Sequence, residues 1–380
     1  MITVGMGRSP QYHSLVVDAQ RANGAYFFMT STIEYCSRCF LMPRTSVLFL
    51  WKVPEPLKRY LRENLRHIEG LKLLFPEKAE ESEFLHLAPN AQIIVGWRPS
   101  EALLEAATNL HLFIFPGAGV QHLVEWFRTE GQNRNITLVN GHSNSVFVAQ
   151  HVVALLLGLM NRIVQHHNWM VEGEWRKGDD DAKTLPLHGR TIGLLGYGAI
   201  NQKVHQFLAG FDVNFAALRR GWGTSGQSLP TPITQYTPSQ LDDFLDEIDI
   251  LIVAVPLTQA TKGLIGKKEL KRLGPQSLVV NVARGDVIDQ SALYHALAKK
   301  VIAGAAIDVW YTYQPGADEK GRKYPYEHPF HILDNILLSP HRAASPFDDL
   351  DRWGEVVENI TRFTQERTDF LNIVDVNRGY

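Results

Sequence analysis

Apolar runs of strand length alternate with amphipathic runs of helix length along most of the chain. Runs that predict strands occur at 46–51, 71–75, 92–97, 110–115 and 136–139, and again at 191–196, 213–218, 250–255, 277–283, 303–309 and 335–339. The second set lacks a polar alternate face, which is typical of strands buried on both sides. Such alternation of strands and helices predicts parallel sheets covered by helices.

One long helical pattern divides the chain in two. The run at about 145–170 interrupts the strand–helix alternation, which then starts again. In the second half, Thr237 and Gln240 can form a capping box, and Asp289 can cap the following helix. The amphipathic stretch 346–366 is expected to pack back on the first domain. We therefore predict an α/β protein of two doubly wound, parallel-sheet domains.

Composition and charge argue against several classes of function. The 380 residues carry a formal net charge of -2, so the chain lacks the basic surface expected for nucleic-acid or membrane binding. The longest apolar stretch, 151–160, is too short to span a bilayer. Cys36 and Cys39, the only cysteines, do not supply the ligands of a zinc site and favour a reducing compartment. We predict a cytoplasmic protein without a metal.

The first residues differ from the rest of the chain. Residues 1–41 show mixed polarity, no clear period and no apolar segment of a signal peptide. Met42 stands directly before the region of the first predicted strand. We expect residues 1–41 to be a poorly ordered and dispensable extension.

A glycine-containing turn follows the strand predicted at 191–196. Gly196 and Gly198 stand between this strand and a helix that begins with Ala199 and Ile200. The first glycine permits a tight turn, the second lets the backbone approach a pyrophosphate, and the helix N-terminus donates N–H groups to it. Asn201 replaces the third glycine of the usual pattern, which suggests a looser packing of the helix on the strand. The pattern alone also fits an ordinary turn.

The residues after the next strand predict the cofactor. Arg219 and Arg220 stand where an acidic residue would bind the ribose hydroxyls of NAD. A guanidinium can instead pair with a 2′-phosphate, which favours NADP over NAD. The alternative is that both arginines merely face solvent.

Several blocks of sequence resemble the D-2-hydroxyacid dehydrogenase family over about residues 46–380. The most specific is "LVVNVARGDVIDQSAL" at 278–293. Further blocks are "VPLTQATKGLIG" at 255–266, "AGAAIDVW" at 303–310, "ILLSPH" at 336–341 and "NSVFVAQHVVALLLGLMNR" at 144–162, with Gln150 where the family usually has Glu. Their order along the chain matches that of the family.

The resemblance implies a domain organisation. A Rossmann-type cofactor domain, residues 144–341, is inserted in a flavodoxin-like substrate domain formed by residues 42–143 and 342–380. The active site is expected in the cleft between these domains. The resemblance also leads us to expect a homodimer that associates through the cofactor domain.

The resemblance further implies the residues of the site. Arg284 would hold the carboxylate and carbonyl oxygens of a 2-keto acid, and His341 would donate a proton to the developing alkoxide. Residues expected to bind the substrate are Ala118, Gly119 and Asn144. Residues expected to line the cofactor cleft are Pro256, Val282, Ala283 and Asp308.

One departure from the family pattern concerns the partner of His341. The family normally has a Glu about five residues after Asp308, where this chain has Tyr313 and Gln314 and no acid. We predict that Gln314 orients the imidazole and that the pKa of His341 stays near its ordinary value. The alternative partners are Glu319 and Glu327, which lie farther along the loop. Formate dehydrogenases, a branch of the family, have a Gln in this region, and Asn144 matches another residue of that branch.

Three functions remain open on the sequence. The leading hypothesis is an NADP-dependent oxidoreductase that acts on the CH–OH group of a small 2-hydroxy acid and reduces the matching 2-keto acid, such as glyoxylate or hydroxypyruvate. The first alternative is a formate dehydrogenase. The second is a dinucleotide-sensing binding protein that resembles the family's transcriptional corepressors.

Overall fold

The structure, a computed structural model, describes residues 45–180, 182–222, 229–345 and 349–380. The predicted extension, with Cys36 and Cys39, lies outside these residues. Two parallel sheets with helices on their faces make up the described chain. The predicted fold class is therefore confirmed.

The first sheet has five strands in the order β2-β1-β3-β4-β5, which is the flavodoxin-like order. Its strands are short apolar runs, and β1, β3 and β4 are buried along their whole length because helices cover both faces. The strands are β1 Ser46–Phe49, β2 Lys72–Leu74, β3 Ile93–Val95, β4 Leu112–Phe115 and β5 Thr137–Asn140. The helices are α1 Glu55–Leu65, α2 Glu81–Leu87, α3 Glu101–Ala106 and the single turn α4 Val124–Trp126.

The second sheet has seven strands in the order β12-β11-β10-β9-β6-β7-β8. The order reverses at β6, which makes the carboxyl end of β6 the switch point where ligands bind in such sheets. The strands are β6 Thr191–Leu195, β7 Asn214–Leu218, β8 Thr234–Tyr236, β9 Ile250–Val253, β10 Leu278–Asn281, β11 Gly304–Ile307 and β12 Ile336–Leu338. The helices around it are α5 Ser145–Met160, α6 Ile163–Val171, α7 Ala199–Leu208, α8 Leu241–Glu247, α9 Lys267–Leu273 and α10 Gln290–Ala298.

The two helix starts predicted from residue types are present. Thr237 and Gln240 form a capping box on the single turn that precedes α8. The carboxylate of Asp289 accepts a hydrogen bond of 2.7 Å from the backbone N–H of Ala292 at the start of α10. Both caps satisfy backbone donors that a helix start leaves unpaired.

The long helical pattern at 145–170 forms two helices instead of one. Arg162 has a positive φ of 52°, which ends α5 and starts α6 in a new direction. The axes of the two helices differ by 62°. Within the described residues, no single helix has both the length and the apolar composition needed to cross a membrane; only this bent pair, taken together, meets that test.

The last part of the chain returns to the first sheet, as the amphipathic pattern predicts. Helix α11, Gly354–Thr364, packs against α1 and β4 through Val356 and Ile360. The segment after it lies beside β5, where the N–H of Val374 donates to the carbonyl of Leu138 at 2.9 Å. The C-terminal residues are thereby attached to the first sheet.

Candidate active site

The turn between β6 and α7 has the shape that a pyrophosphate site requires. Gly196 has φ of +86°, and a Cβ there would lie 2.7 Å from the carbonyl oxygen of Ala254, so only glycine fits. Gly198 caps α7 and has no heavy atom within 4 Å of the position of a Cβ. Ala199 and Ile200 begin α7, whose N-terminal N–H groups suit a phosphate. The residues present fit a dinucleotide.

Asn201 corrects one expectation from the sequence. Its side chain is completely buried, and its amide donates to the carbonyl oxygens of Gly196 at 2.6 Å and Leu195 at 3.3 Å. The replacement of the third glycine therefore does not loosen the contact. It ties α7 to the end of β6 through hydrogen bonds instead of close backbone packing.

The two arginines after β7 point to different neighbours. The guanidinium of Arg219 lies 5.3 Å from the ring centre of Trp222, and its charge acts on the hydroxyl of Tyr197 within the glycine turn. The guanidinium of Arg220 contacts Tyr380 at the other end of the chain. Both cations thus lie beside the carboxyl end of β7. At that end the N–H of Gly196 donates to the carbonyl of Leu218, the last residue of the strand.

The other predicted cofactor residues follow neighbouring parallel strands. Pro256 comes shortly after β9, and its carbonyl accepts from the hydroxyl of Thr261 at 2.6 Å. Val282 and Ala283 follow β10 and are buried, and Asp308 follows β11. Because parallel strands end at the same edge of a sheet, these residues share that edge with the glycine turn.

Arg284 joins the second sheet to the loop after β4. Its Nη2 lies 1.4 Å from the position that a Cβ on Gly119 would occupy, so the guanidinium rests directly on that glycine. With its amide oriented to suit its neighbours, Gln121 accepts from Nε of Arg284 at 3.3 Å and donates to the carbonyl of Gly119 at 3.2 Å. Desolvation lowers the pKa of Arg284, which nevertheless stays a cation.

The two other predicted substrate residues are Ala118, in the loop after β4, and Asn144, which lines a cavity with Pro116 of that loop. Asn140, at the end of β5, donates to the carbonyl of Ala118 at 3.0 Å and fixes the loop after β4. Asn144 precedes α5 and lines a cavity of about 20 Å³ together with Pro116 and Glu355. Arg284, after β10, and Gly119, in the loop after β4, thus bring the two sheets together.

His341 sits in a loop held by Asp308. The carboxylate of Asp308 is buried and accepts from the N–H groups of Arg342 at 2.7 Å and Ala343 at 3.0 Å, and from the hydroxyl of Ser339. His341 itself has φ of +57°, which is uncommon for a residue other than glycine. The hydrogen bonds that Asp308 accepts from Ser339, before His341, and from Arg342 and Ala343, after it, maintain this backbone conformation.

The ring of His341 has a different partner from the one predicted. The hydroxyl of Tyr313 lies 3.1 Å from Nδ1 of His341, and the side chains of Tyr313 and of Gln314, the next residue, are both exposed. The predicted contact between Gln314 and the ring is thus replaced by that of Tyr313. Although His341 retains solvent access, desolvation by neighbouring protein lowers its pKa; Arg284 and Arg342 act in the same direction, and Asp308 opposes them. The sequence predicted an ordinary pKa for His341, whereas in the structure its pKa is lowered.

Comparison with known proteins agrees with this geometry. Residues 153–343 match the family model described as D-isomer specific 2-hydroxyacid dehydrogenase, NAD binding domain.

The chain belongs to this dehydrogenase family.

Among its relatives, a glyoxylate reductase of Thermofilum pendens is 30% identical over 308 residues, covering 79% of each chain. A D-3-phosphoglycerate dehydrogenase of Archaeoglobus fulgidus is 28% identical over 302 residues, which cover 77% of this chain. The chain spans about half of that second relative, 53% of its length.

A solved structure of the family shares the fold. The NADPH-dependent glyoxylate/hydroxypyruvate reductase of Sinorhizobium meliloti, in complex with NADP and malonate, superposes with a TM-score of 0.67 and 25% identity. The match covers 88% of this chain and 98% of that one.

Some residues of the dehydrogenase site were missed by reasoning from the sequence. Tyr313 was recognised only as a departure from the family pattern, and Tyr380 was assigned no role. His151 was also missed: its Nε2 lies 3.0 Å from the hydroxyl of Ser339 and 3.6 Å from the carboxylate of Asp308. His151 is a polar residue within the apolar helix α5, and this position could have marked it as a candidate site residue.

Proposed function

We propose that the protein is an NADP-dependent reductase of small 2-keto acids, of which glyoxylate and hydroxypyruvate are the first candidates. The observation that carries the proposal is the contact of Arg284 with Gly119 in the loop after β4. Arg284 lies at the same edge of the second sheet as His341 and the glycine turn. This arrangement supplies a carboxylate anchor and a proton donor beside a dinucleotide site.

The carboxylate of the substrate would be held from two sides. Arg284 presents a planar guanidinium whose donors can pair with a carboxylate and with the adjacent carbonyl oxygen. Backbone N–H groups of Ala118 and Gly119 would complete the anchor. The partial desolvation that lowers the pKa of Arg284 also strengthens a charge-assisted hydrogen bond to an anion.

The proton would come from His341. A bound reduced nicotinamide dinucleotide supplies the hydride for the carbonyl carbon. The imidazolium of His341 gives its proton to the carbonyl oxygen as negative charge develops there, and Arg284 keeps that oxygen oriented. Tyr313 fixes the ring through Nδ1, which leaves Nε2 as the nitrogen that faces the substrate.

The preference for NADP is supported by the two cations at the end of β7. Arg219 is held by its contact with Trp222, and Arg220 by its contact with Tyr380. A 2′-phosphate would pair with either guanidinium, whereas the ribose hydroxyls of NAD would find no carboxylate among these side chains. The NADP complex of the Sinorhizobium meliloti structure adds an example from the same family.

Steady-state kinetics with a substrate panel tests the proposal. Glyoxylate, hydroxypyruvate and larger 2-keto acids are each offered with NADPH and with NADH, and formate is offered with NADP⁺ and NAD⁺. The proposal predicts NADPH oxidation with at least one small keto acid and about ten- to a hundredfold lower kcat/KM with NADH. Turnover of formate alone would assign the first alternative, and cofactor binding without any turnover would assign the second.

We further propose a homodimer that forms through α6. The helix and the turn after it expose five large apolar side chains: Ile163, Val164, Met170, Val171 and Trp175. Such a group on one surface segment marks an interaction site. Light scattering of the purified protein tests this, and Val171→Glu is expected to shift a dimer towards the monomer.

A further inference from the structure

Tyr380, the last residue of the sequence, contacts Arg220 of the predicted ribose site. Nη1 of Arg220 donates to the hydroxyl of Tyr380 at 3.1 Å, and the guanidinium carbon lies 5.1 Å from the centre of the tyrosine ring. Arg220 follows β7 of the second sheet, whereas the segment before Tyr380 lies beside β5 of the first. The contact therefore links the two domains at the cofactor.

Tyr380 is held in place by a compact turn. The N–H groups of Asn377 and Arg378 donate to the carboxylate of Asp375, and the carbonyl of Tyr380 accepts from the N–H of Asp375 at 3.1 Å. Gly379 has φ of +82°, which closes the turn, and a Cβ on Gly379 would lie 3.8 Å from the methyl carbon of Thr258, which follows β9. The ring of Tyr380 thus rests on a defined support.

Arg220 differs from Arg219 in the origin of its support. Arg219 is packed by Trp222 from its own loop, so its position depends on the second domain alone. The position of the Arg220 side chain depends instead on its contact with Tyr380. Fixing a long arginine side chain costs conformational entropy, and a partner that fixes it before the ligand binds reduces that cost.

We propose that Tyr380 is a specificity residue for the cofactor, because it orients Arg220 towards the 2′-phosphate of NADP. The claim rests on the proposed preference for NADP. A guanidinium carries five N–H donors, so the bond from Nη1 to Tyr380 leaves donors for a phosphate. NAD has no phosphate at this position, and its affinity does not depend on the orientation of Arg220.

Binding of NADPH and NADH to the full chain tests this inference. Tyr380→Phe removes the hydroxyl and keeps the ring, and Tyr380→Ala removes both. The dissociation constant of NADPH is expected to rise about threefold in the first variant and about tenfold in the second. The dissociation constant of NADH is expected to stay within about twofold in both.

Arg378→Gln is the matched control. It removes a positive charge from the same turn, where Arg378 pairs with Asp375 at 3.1 Å, without touching Tyr380 or Arg220. NADPH affinity close to that of the wild type in this variant would show that the electrostatic field of the charges in the turn does not cause the loss seen in the tyrosine variants. A loss equal to that of Tyr380→Ala would overturn the specific role of Tyr380.

Three outcomes with the tyrosine variants would also overturn the inference. These are unchanged NADPH affinity, a parallel loss for NADPH and NADH, or tighter NADPH binding, which would mean that Tyr380 competes with the phosphate. A wild type that binds NADH as well as NADPH would overturn the proposed cofactor preference together with this inference. A wild-type preference that is undiminished in Tyr380→Ala would overturn the role of Tyr380 alone.

Discussion

The hydroxyl of Tyr313 lies 3.1 Å from Nδ1 of His341, and the two rings meet edge to face with their centres 5.2 Å apart. Desolvation raises the pKa of Tyr313, and the nearby Arg284 only partly opposes this, so the phenol stays neutral in the ordinary pH range. A neutral partner orients an imidazole but does not stabilise its cation as a carboxylate does. Tyr313 therefore fixes the ring of His341 without raising its pKa.

The wild-type pH profile should reflect this partner. Keto-acid reduction consumes a proton from His341, so kcat/KM should be constant while the free enzyme carries imidazolium and fall as pH rises through the pKa. Desolvation lowers that pKa, which places the fall below the ordinary pKa of histidine. Measurement of kcat/KM for one keto acid at saturating NADPH across the titration range checks this. A flat profile that extends to alkaline pH would contradict it.

A carboxylate in place of the phenol should shift the profile. Tyr313→Glu brings a negative charge to Nδ1 and is expected to move the fall in kcat/KM upward by about one to two pH units. Gln314→Glu is the matched control, because the exposed Gln314 side chain is expected to leave the profile nearly unchanged. A shift in Gln314→Glu without one in Tyr313→Glu would assign the ring contact to Gln314.

A methyl group on Gly119 should displace Arg284. The new Cβ would coincide with Nη2 of the guanidinium, whose side chain must then move away from the substrate loop. Because small displacements of a positioning group are costly to catalysis, Gly119→Ala is expected to lower kcat/KM about tenfold to a hundredfold. Gly210→Ala is the control, since nothing lies within 4 Å of a Cβ there. Equal activity of both variants would remove Arg284 from the substrate anchor.

The helix behind the glycine turn should lose stability in acid. His205 is fully buried between the hydroxyls of Tyr197 and Thr231, each at 2.8 Å, and desolvation lowers its pKa to about 4. The unfolded chain binds this proton near the ordinary pKa of about 6.5, so the stabilising effect of neutral His205 is present above that pH and is lost as pH falls towards 4. The difference amounts to about 3 kcal/mol.

Chemical denaturation at several pH values checks this. The free energy of unfolding of the wild type should fall more steeply between these pH values than that of His205→Gln, which has no group that titrates there. Identical slopes in the two proteins would show that His205 accepts a proton without cost in the folded state.

The sequence predicted the buried strands well because burial on both faces leaves uninterrupted apolar runs. It missed β8, whose residues Thr234, Gln235 and Tyr236 form a partly exposed edge without such a run. It also missed the bend between α5 and α6, because a positive φ at Arg162 carries no signal in residue type. Apolar periodicity continues across that bend.

Site residues at strand ends were predictable, and those in loops were not. Gly196, Arg284 and His341 follow predicted strands, so their shared edge of the sheet follows from parallel topology. Whether Tyr313 or Gln314 reaches His341 depends on the path of an irregular loop, which spacing does not define. The contact of Tyr380 with Arg220 joins residues 160 positions apart and has no local signature at all.

The most direct test of the central claim is the rate of NADPH oxidation by wild type and His341→Ala with the same small keto acid, with NADPH binding measured in parallel. We predict turnover in the wild type, a loss of about 10²- to 10⁴-fold in kcat for the variant, and nearly equal NADPH affinity in both. Undiminished turnover by His341→Ala, or a wild type that binds NADPH and reduces no 2-keto acid, would contradict the account.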